Sequence, residues 1–429
     1  MRSDLVFVSG GVTAPLGFTA SAVFNGIKAG RSKADTALIF SGNSCAAAGV
    51  FTQNRVQAEC VKLTKSLIAD GQAQAVIVNS SNANACTGKA GYEAAALEAK
   101  ETARRLRIRE EDVLVCSTGV IGQRLPVEKI VAGLDNLVSS LSKEGHKQAR
   151  EAIMTTDTRY KECAVQTVIA GKTVTIGAMA KGSGMIHINM GTMLAFVTTD
   201  CAVSAEMLNK ALKDSVEGTF NCVSIDGDTS TNDTLLILAN GQAGNPLIDS
   251  EGEDYNRFLD ALNALNTQMA MKIAADGEGA GRLLTCVVNG ARDTKTARAL
   301  AKAVISSNLV KAAFFGRDAN WGRVLCALGY SGQDFTPEKA SVAFKSAPGA
   351  KRFFDEESFV QEQSEAQMRE IAVFKDGVPL DFDEELAKQI LSEEAVVIAV
   401  DLRDGTSSGK AWGCDLTYEY VKINGDYRT

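Results

Sequence analysis

In KGSGMIHINMGTMLAFVTTD, Thr192 follows Gly191 and opens the apolar run TMLAFVTT. A threonine hydroxyl is a weak nucleophile, and the usual histidine base is scarce here, since His146 and His187 are the two histidines of a 429-residue chain. The α-amine of the same residue, with an unperturbed pKa of about 8, is a workable base, but it requires the threonine to begin a chain. An internal threonine reaches that state if its hydroxyl attacks the preceding carbonyl, shifts the acyl group from nitrogen to oxygen, and lets water cleave the ester. Gly191 suits this step, because without a Cβ its carbonyl is open and its backbone tolerates strain. Taken alone, such a pair is more often the plain head of a strand. His187, a few residues upstream, is a competing base.

The elements around this pair alternate. Residues 74–79 (QAVIVN) read as a buried strand, NSSNANACTGKAG as its exit loop, and 91–107 as a helix. EDVLVC (111–116), STGVIG and the amphipathic 127–141 repeat the unit. ECAVQTVIA and TVTIGAMA, separated by Gly171 and Lys172, read as a hairpin. Beyond TMLAFVTT, 204–218, 253–275 and 294–305 read as helices, and DTLLILA, RLLTCVVNGA, VKAAFFG, EAVVIAVDL and GCDLTYEYVKIN as strands. This alternation predicts an α/β fold. The length asks for two domains or one large body with a companion, although no linker marks a boundary.

The bulk composition excludes several classes. With 45% hydrophobic and 23% charged residues the chain is globular. The net charge of -7 carries no like-charge block that could track phosphates, so nucleic acid is not an expected partner. MRSDLVFVSGGVTAPLGF lacks the apolar stretch of a signal peptide, and no run reaches the roughly 18 apolar residues of a membrane span. A cytoplasmic protein without membrane partners is expected. Ten cysteines without C-x-x-C spacing argue against a zinc or iron–sulfur site and read as small buried groups.

AKGSGMIHINMGTMLAFVTTD resembles the self-cleaving centre of the ornithine acetyltransferase family, also called ArgJ or glutamate N-acetyltransferase. GVTAPLGFTA, VNSSNANACTG, CSTGVIG, AIMTTDT, IAADGEGAGR, FGRDANWGRV and VKINGDYRT look like family blocks in family order, across effectively the whole chain. Two departures stand out. Gly191 replaces a commoner Ala, and MIHINM lacks the usual proline of M-x-x-P-[ND]-M.

The resemblance implies a two-layer α/β body of the DmpA/ArgJ kind, related to N-terminal-nucleophile enzymes, with a smaller α/β second domain. It implies cleavage between Gly191 and Thr192 into fragments 1–191 and 192–429, which remain associated, two of each. It puts the nucleophile on Thr192 and the oxyanion hole on Thr118 and Gly119, a hydroxyl and an N–H at a strand exit; without it, STG is an ordinary turn. Substrate contacts carry over to Thr155, Lys181, Thr192, Glu278, Asn424 and Thr429. A lysine suits an α-carboxylate and a carboxylate suits the ornithine ammonium, while the bland reading of Lys181 and Glu278 is solvated surface. Arg317, Asp318, Asn320 and Trp321 of GRDANWG are either structural or near the site.

The implied reaction is ping-pong acetyl transfer from N2-acetylornithine to glutamate, with acetyl-CoA a second donor if this member is bifunctional. No metal or organic cofactor is required. The rivals are an N-terminal-threonine amidohydrolase or aminopeptidase, in which water takes the acyl group, and a non-cleaving small-molecule binding protein.

Overall fold

The computed structural model describes residues 5–28, 30, 32–187, 193–346 and 368–425. They form two compact units: Met1–Gly182, Asn189–Glu217 and Thr229–Met269 make the first, and Ser183–Ile188, Gly218–Asp228 and Ala270–Thr429 the second.

The first unit is built on strands β1 (Val6–Val8), β2 (Phe18–Val23), β3 (Thr36–Phe51), β4 (Gln72–Asn79), β5 (Val113–Ser117), β6 (Lys161–Ile169) and β7 (Lys172–Lys181). Of the strands that follow, β8 (Ile186–His187) and β10 (Ser224–Thr229) pair with each other elsewhere, whereas β9 (Leu194–Thr199) and β11 (Thr234–Ala239) complete this sheet. Among the described residues it has nine strands in the order β1-β6-β7-β9-β11-β3-β4-β5, with β2 on β3. LAFVTT and TLLILA are buried at every position, as unbroken apolar runs in a covered sheet should be. β9 and β11 run parallel to each other and antiparallel to β7 and β3 respectively. The two strands that follow Thr192 therefore lie side by side between strands that precede it, in one sheet.

The period-2 alternation of β4 divides its residues between two cores. Ala75 and Ile77 pack with Ala95 and Ala99 of α2 (Gly88–Leu106), Val61 of α1 (Glu59–Leu67) and Ile130 and Leu134 of α3 (Val127–Ser139). Val76 and Val78 pack with Leu194, Phe196 and Leu236, and with Ala149 and Ala152 of α4 (His146–Ala152). β4, α2 and the parallel β5 form a crossover unit. The unit also carries α5 (Ala205–Gly218) and most of α6 (Glu253–Ala275). The expected hairpin exists, but its turn is one residue earlier: Ile169 pairs with Lys172, so Ala170 (φ 47°) and Gly171 (φ 75°) are the central residues. Positive φ at both is the type I′ geometry that matches strand twist.

The second unit is smaller and also α/β. Its six-stranded sheet runs β15-β14-β13-β16-β12-β17, drawn from β12 (Leu283–Ala291), β13 (Ser341–Ser346), β14 (Glu370–Lys375), β15 (Val378–Pro379), β16 (Ala395–Asp401) and β17 (Ser407–Cys414). Its helices include α7 (Thr294–Ser306), α8 (Asn308–Gly316) and α9 (Trp321–Gly329), then Glu384–Leu391 and Tyr418–Gly425.

One expected strand is a helix, and the last one is a strand only at its start. VKAAFFG lies in α8, which Ser307 caps by accepting from Val310 N and which Arg317 ends at φ 58°. Short apolar runs do not by themselves separate strand from helix. The last strand stops at Cys414, because the next residue, Asp415, accepts from the N–H groups of Gly281 (2.7 Å) and Arg282 (3.0 Å) and turns the chain toward the terminal helix.

Eight cysteines are buried, and Cys86 and Cys326 are exposed. Among the described residues no single helix is long and apolar enough to cross a membrane, and no group of three or more His, Cys, Asp or Glu is arranged to hold a metal.

Candidate active site

Gly191, Thr192 and Thr429 lie outside the described residues, so the site is built from the groups around them in sequence. The chain after Thr192 is fixed at once: the Met193 carbonyl accepts from Thr234 N at 2.9 Å. Leu194 lies between Lys181 of β7 and Thr234 of β11. A residue two positions past Thr192 is thus held in the interior of a sheet.

The loop after β5 carries Thr118 and Gly119, both half-buried. Thr118 N donates to Asn79 O at 2.9 Å, and Val120 N to Ser81 O at 3.3 Å, which pins the loop against the exit of β4. Gly119 has φ 138°, and a Cβ there would stand 2.2 Å from the Ser81 carbonyl carbon, so no other residue fits. Among the described residues neither the Thr118 hydroxyl nor the Gly119 N–H has an acceptor. Two neighbouring donors are therefore available for a negative oxygen.

Behind the loop, the Asn232 amide donates to Ala83 O (2.6 Å) and Ser117 O (2.8 Å). Asn79 donates to Asn82 O at 2.9 Å. Asn232 leads into β11, so the backbone that receives Met193 also holds the end of β5.

Lys181 and Thr155 meet through Asp157, whose side chain is fully enclosed. Asp157 Oδ1 accepts from Lys161 Nζ and from Gly182 N, both at 2.7 Å. Oδ2 accepts from Thr155 N at 3.1 Å and lies 3.9 Å from Lys181 Nζ. Burial alone would push this carboxyl up, but Lys161, Lys181 and the Gly182 N–H hold it well below the usual carboxylate range. Lys181 is buried, not solvated surface.

Glu278 and Asn424 meet in the second unit. Asn424 Nδ2 donates to Glu278 Oε2 at 2.7 Å, and Glu278 N to Ser183 O at 2.8 Å. Gly184 lies so close that a Cβ would come 2.1 Å from Oε2. The loop is anchored by the Ser183 hydroxyl donating to Asp276 O (2.6 Å) and by Asp415. Glu278 is buried as well. Asp226 accepts from Met185 N and Ile186 N, at 2.5 and 2.7 Å, and fixes β8. The His187 ring sits 3.0 Å from the Ser224 hydroxyl, and burial, aided by Lys302, pushes its pKa down to about 4.

The GRDANWG segment shapes the junction of α8 and α9. Asn320 caps α9 by accepting from Arg323 N, Asp318 accepts from the Asn320 amide at 3.0 Å, Arg317 ends α8, and Trp321 stacks on Phe374 at 5.0 Å. Sequence reasoning missed Asp157, Lys161 and Asn232. Their signal was weak: Asp157 and Asn232 are single amide or carboxylate groups inside TTDT and STND, where loop polarity explains them equally well.

The ArgJ family model matches residues 19–429. The arginine biosynthesis bifunctional protein ArgJ of Symbiobacterium thermophilum is 49% identical over 424 residues, 99% of this chain and 100% of that protein. Its namesake from Caldanaerobacter subterraneus subsp. tengcongensis is 48% identical over 422 residues, 98% of this chain and 99% of the relative. Among solved structures, the ArgJ protein of Bacillus halodurans is 40% identical, with a TM-score of 0.47, covering 54% of this chain and 97% of the solved one. Matched from near its start to its last residue, and close to half identical to relatives of the same length, the chain belongs to the ArgJ family, the ornithine acetyltransferases of arginine biosynthesis.

Proposed function

We propose that the chain cuts itself between Gly191 and Thr192, and that Thr192 then carries the acetyl group from N2-acetylornithine to glutamate. The Thr192 hydroxyl attacks the Gly191 carbonyl, the acyl group moves to oxygen, and water releases fragments 1–191 and 192–429. The freed α-amine takes the hydroxyl proton as Thr192 attacks the acetyl carbonyl and returns it to the departing ornithine amine. The Thr118 hydroxyl and Gly119 N–H stabilise the tetrahedral oxyanion. Lys181 and Thr155 receive the substrate carboxylate, and Glu278, steadied by Asn424, the ornithine ammonium. Thr429 contributes from the chain end. Glutamate then takes the acetyl group through its α-amine. Acetyl-CoA serves as a second donor, a reading the word "bifunctional" in the relatives' names supports.

The observation that carries this reading is the lattice around the first residues after Thr192. Met193 is bonded to Thr234, Leu194 pairs with Lys181, and Asn232 ties the same strand start to the loop of Thr118 and Gly119. N-terminal sequencing of the purified protein tests it, with TMLAFV expected as the second start. Ornithine release from N2-acetylornithine should depend on glutamate; release without it would make the enzyme a hydrolase. Two copies of each fragment form the assembly, a point that native mass measurement checks.

A further inference from the structure

Lys311 of α8 is a lysine kept from the surface, at 1% exposure, and the proposed reaction makes no use of it. Its ammonium donates to the Cys414 carbonyl and lies 3.6 Å from Cys414 Sγ, and among the described residues no carboxylate forms an ion pair with it. Its own carbonyl accepts from Leu416 N at 3.3 Å. One residue thus grips the end of β17 by main chain and side chain together. Burying an ammonium is costly, and a neutral donor would satisfy a carbonyl as well, so the position asks for more than a filled hydrogen bond.

The strand end that Lys311 holds is the floor of the Glu278 loop. Cys414 Sγ lies against Gly277, where an added Cβ would come within 2.6 Å of it. Asp415 accepts from Gly281 N and Arg282 N, and the Thr417 hydroxyl donates to Gly279 O at 2.7 Å. Glu278 is therefore bracketed on both sides by residues resting on 414–417, and the same segment runs on into the helix whose Asn424 meets Glu278 Oε2.

We propose that Lys311 and Cys414 are positioning residues for the ornithine side of the site: Lys311 fixes Cys414, the Cys414 sulfur supports Gly277, and Glu278 is thereby held where the ammonium of N2-acetylornithine arrives. The effect is one of placement. By charge alone, removing a buried cation would make the site attract an ammonium more strongly, so placement and field predict opposite signs. The proposal rests on the reading of Glu278 as the partner of that ammonium.

The test compares N2-acetylornithine with N2-acetylnorvaline, the same carbon chain without its ammonium, as donors to saturating glutamate in the processed enzyme. The native protein should favour the ornithine compound by about thirtyfold or more in kcat/KM. Lys311→Met should cut that preference by about tenfold and Cys414→Ala by about threefold, through KM for N2-acetylornithine more than through kcat. A merely structural role would slow both donors alike and keep the ratio, and a field effect would raise it; either result, in whichever variant folds, overturns the proposal. Should Lys311→Met fail to fold, Cys414→Ala decides alone. Glu278→Gln separates the two levels. If it keeps the preference, the underlying reading of Glu278 is wrong; if it loses the preference while Lys311→Met and Cys414→Ala keep it, only the positioning role is wrong.

Discussion

Asn424 reaches back across 146 residues of sequence to donate its amide to Glu278 Oε2 at 2.7 Å. The bond orients a buried carboxylate without neutralising it, which suits a group meant for an ammonium. Glu278→Gln should therefore raise KM for N2-acetylornithine by about tenfold or more, the loss of a hydrogen bond to a charged group, and change KM for glutamate far less. Steady-state rates with each substrate varied in turn give the answer; equal changes for both would remove Glu278 from the ornithine side.

Thr192→Ala should migrate as one full-length band on a denaturing gel and transfer no acetyl group. Two bands would move the cut elsewhere. Thr118→Ala should fold normally and lose about a hundredfold in rate, as removal of one oxyanion donor does.

Asn232→Ala takes a donor from two backbone carbonyls, Ala83 O and Ser117 O. A buried acceptor left unmatched costs about 1–3 kcal/mol, so the urea midpoint should fall. Because the loss falls on the residue before Thr118, kcat should drop with it, and a variant of full activity would show that the loop holds itself.

Much of this was legible beforehand. The strands QAVIVN and DTLLILA and the amphipathic 127–141 declare themselves by period and residue type, and the blocks around Thr118, Lys181 and Glu278 by family likeness. What escaped depends on distant partners. α8 looked like a strand because its apolar run is short and Ser307, its cap, is an unremarkable serine. Asp157 gains its meaning from Lys161 and Lys181 together, and Asn232 from carbonyls 149 and 115 residues away. No local pattern encodes such encounters.

Glu98 predicts a pH dependence. It is fully buried in α2, neither oxygen has a partner among the described residues, and burial pushes its carboxyl up to about 8. In the unfolded chain it would ionise near about 4.3. Between those values the folded state holds a proton that the unfolded state has lost, so stability falls as pH rises through that window. Glu98→Gln removes the titration. Its urea midpoint should decline less than the native one from about pH 5 to about pH 8, with a gap on the order of a few kcal/mol at the upper end.

β9 and β11 are bonded on one flank by β7 and on the other by β3, strands that precede Thr192. If the chain cuts itself as proposed, these pieces find each other beforehand as parts of one molecule, at the high effective concentration a tether provides. After the cut, the same search is between strangers in solution. Renaturation of the uncut Thr192→Ala chain should thus be independent of dilution, whereas the severed protein, once denatured, should recover poorly when dilute. The proposed scission would work as a ratchet: it would leave the assembled sheet intact but remove the route by which the sheet was made.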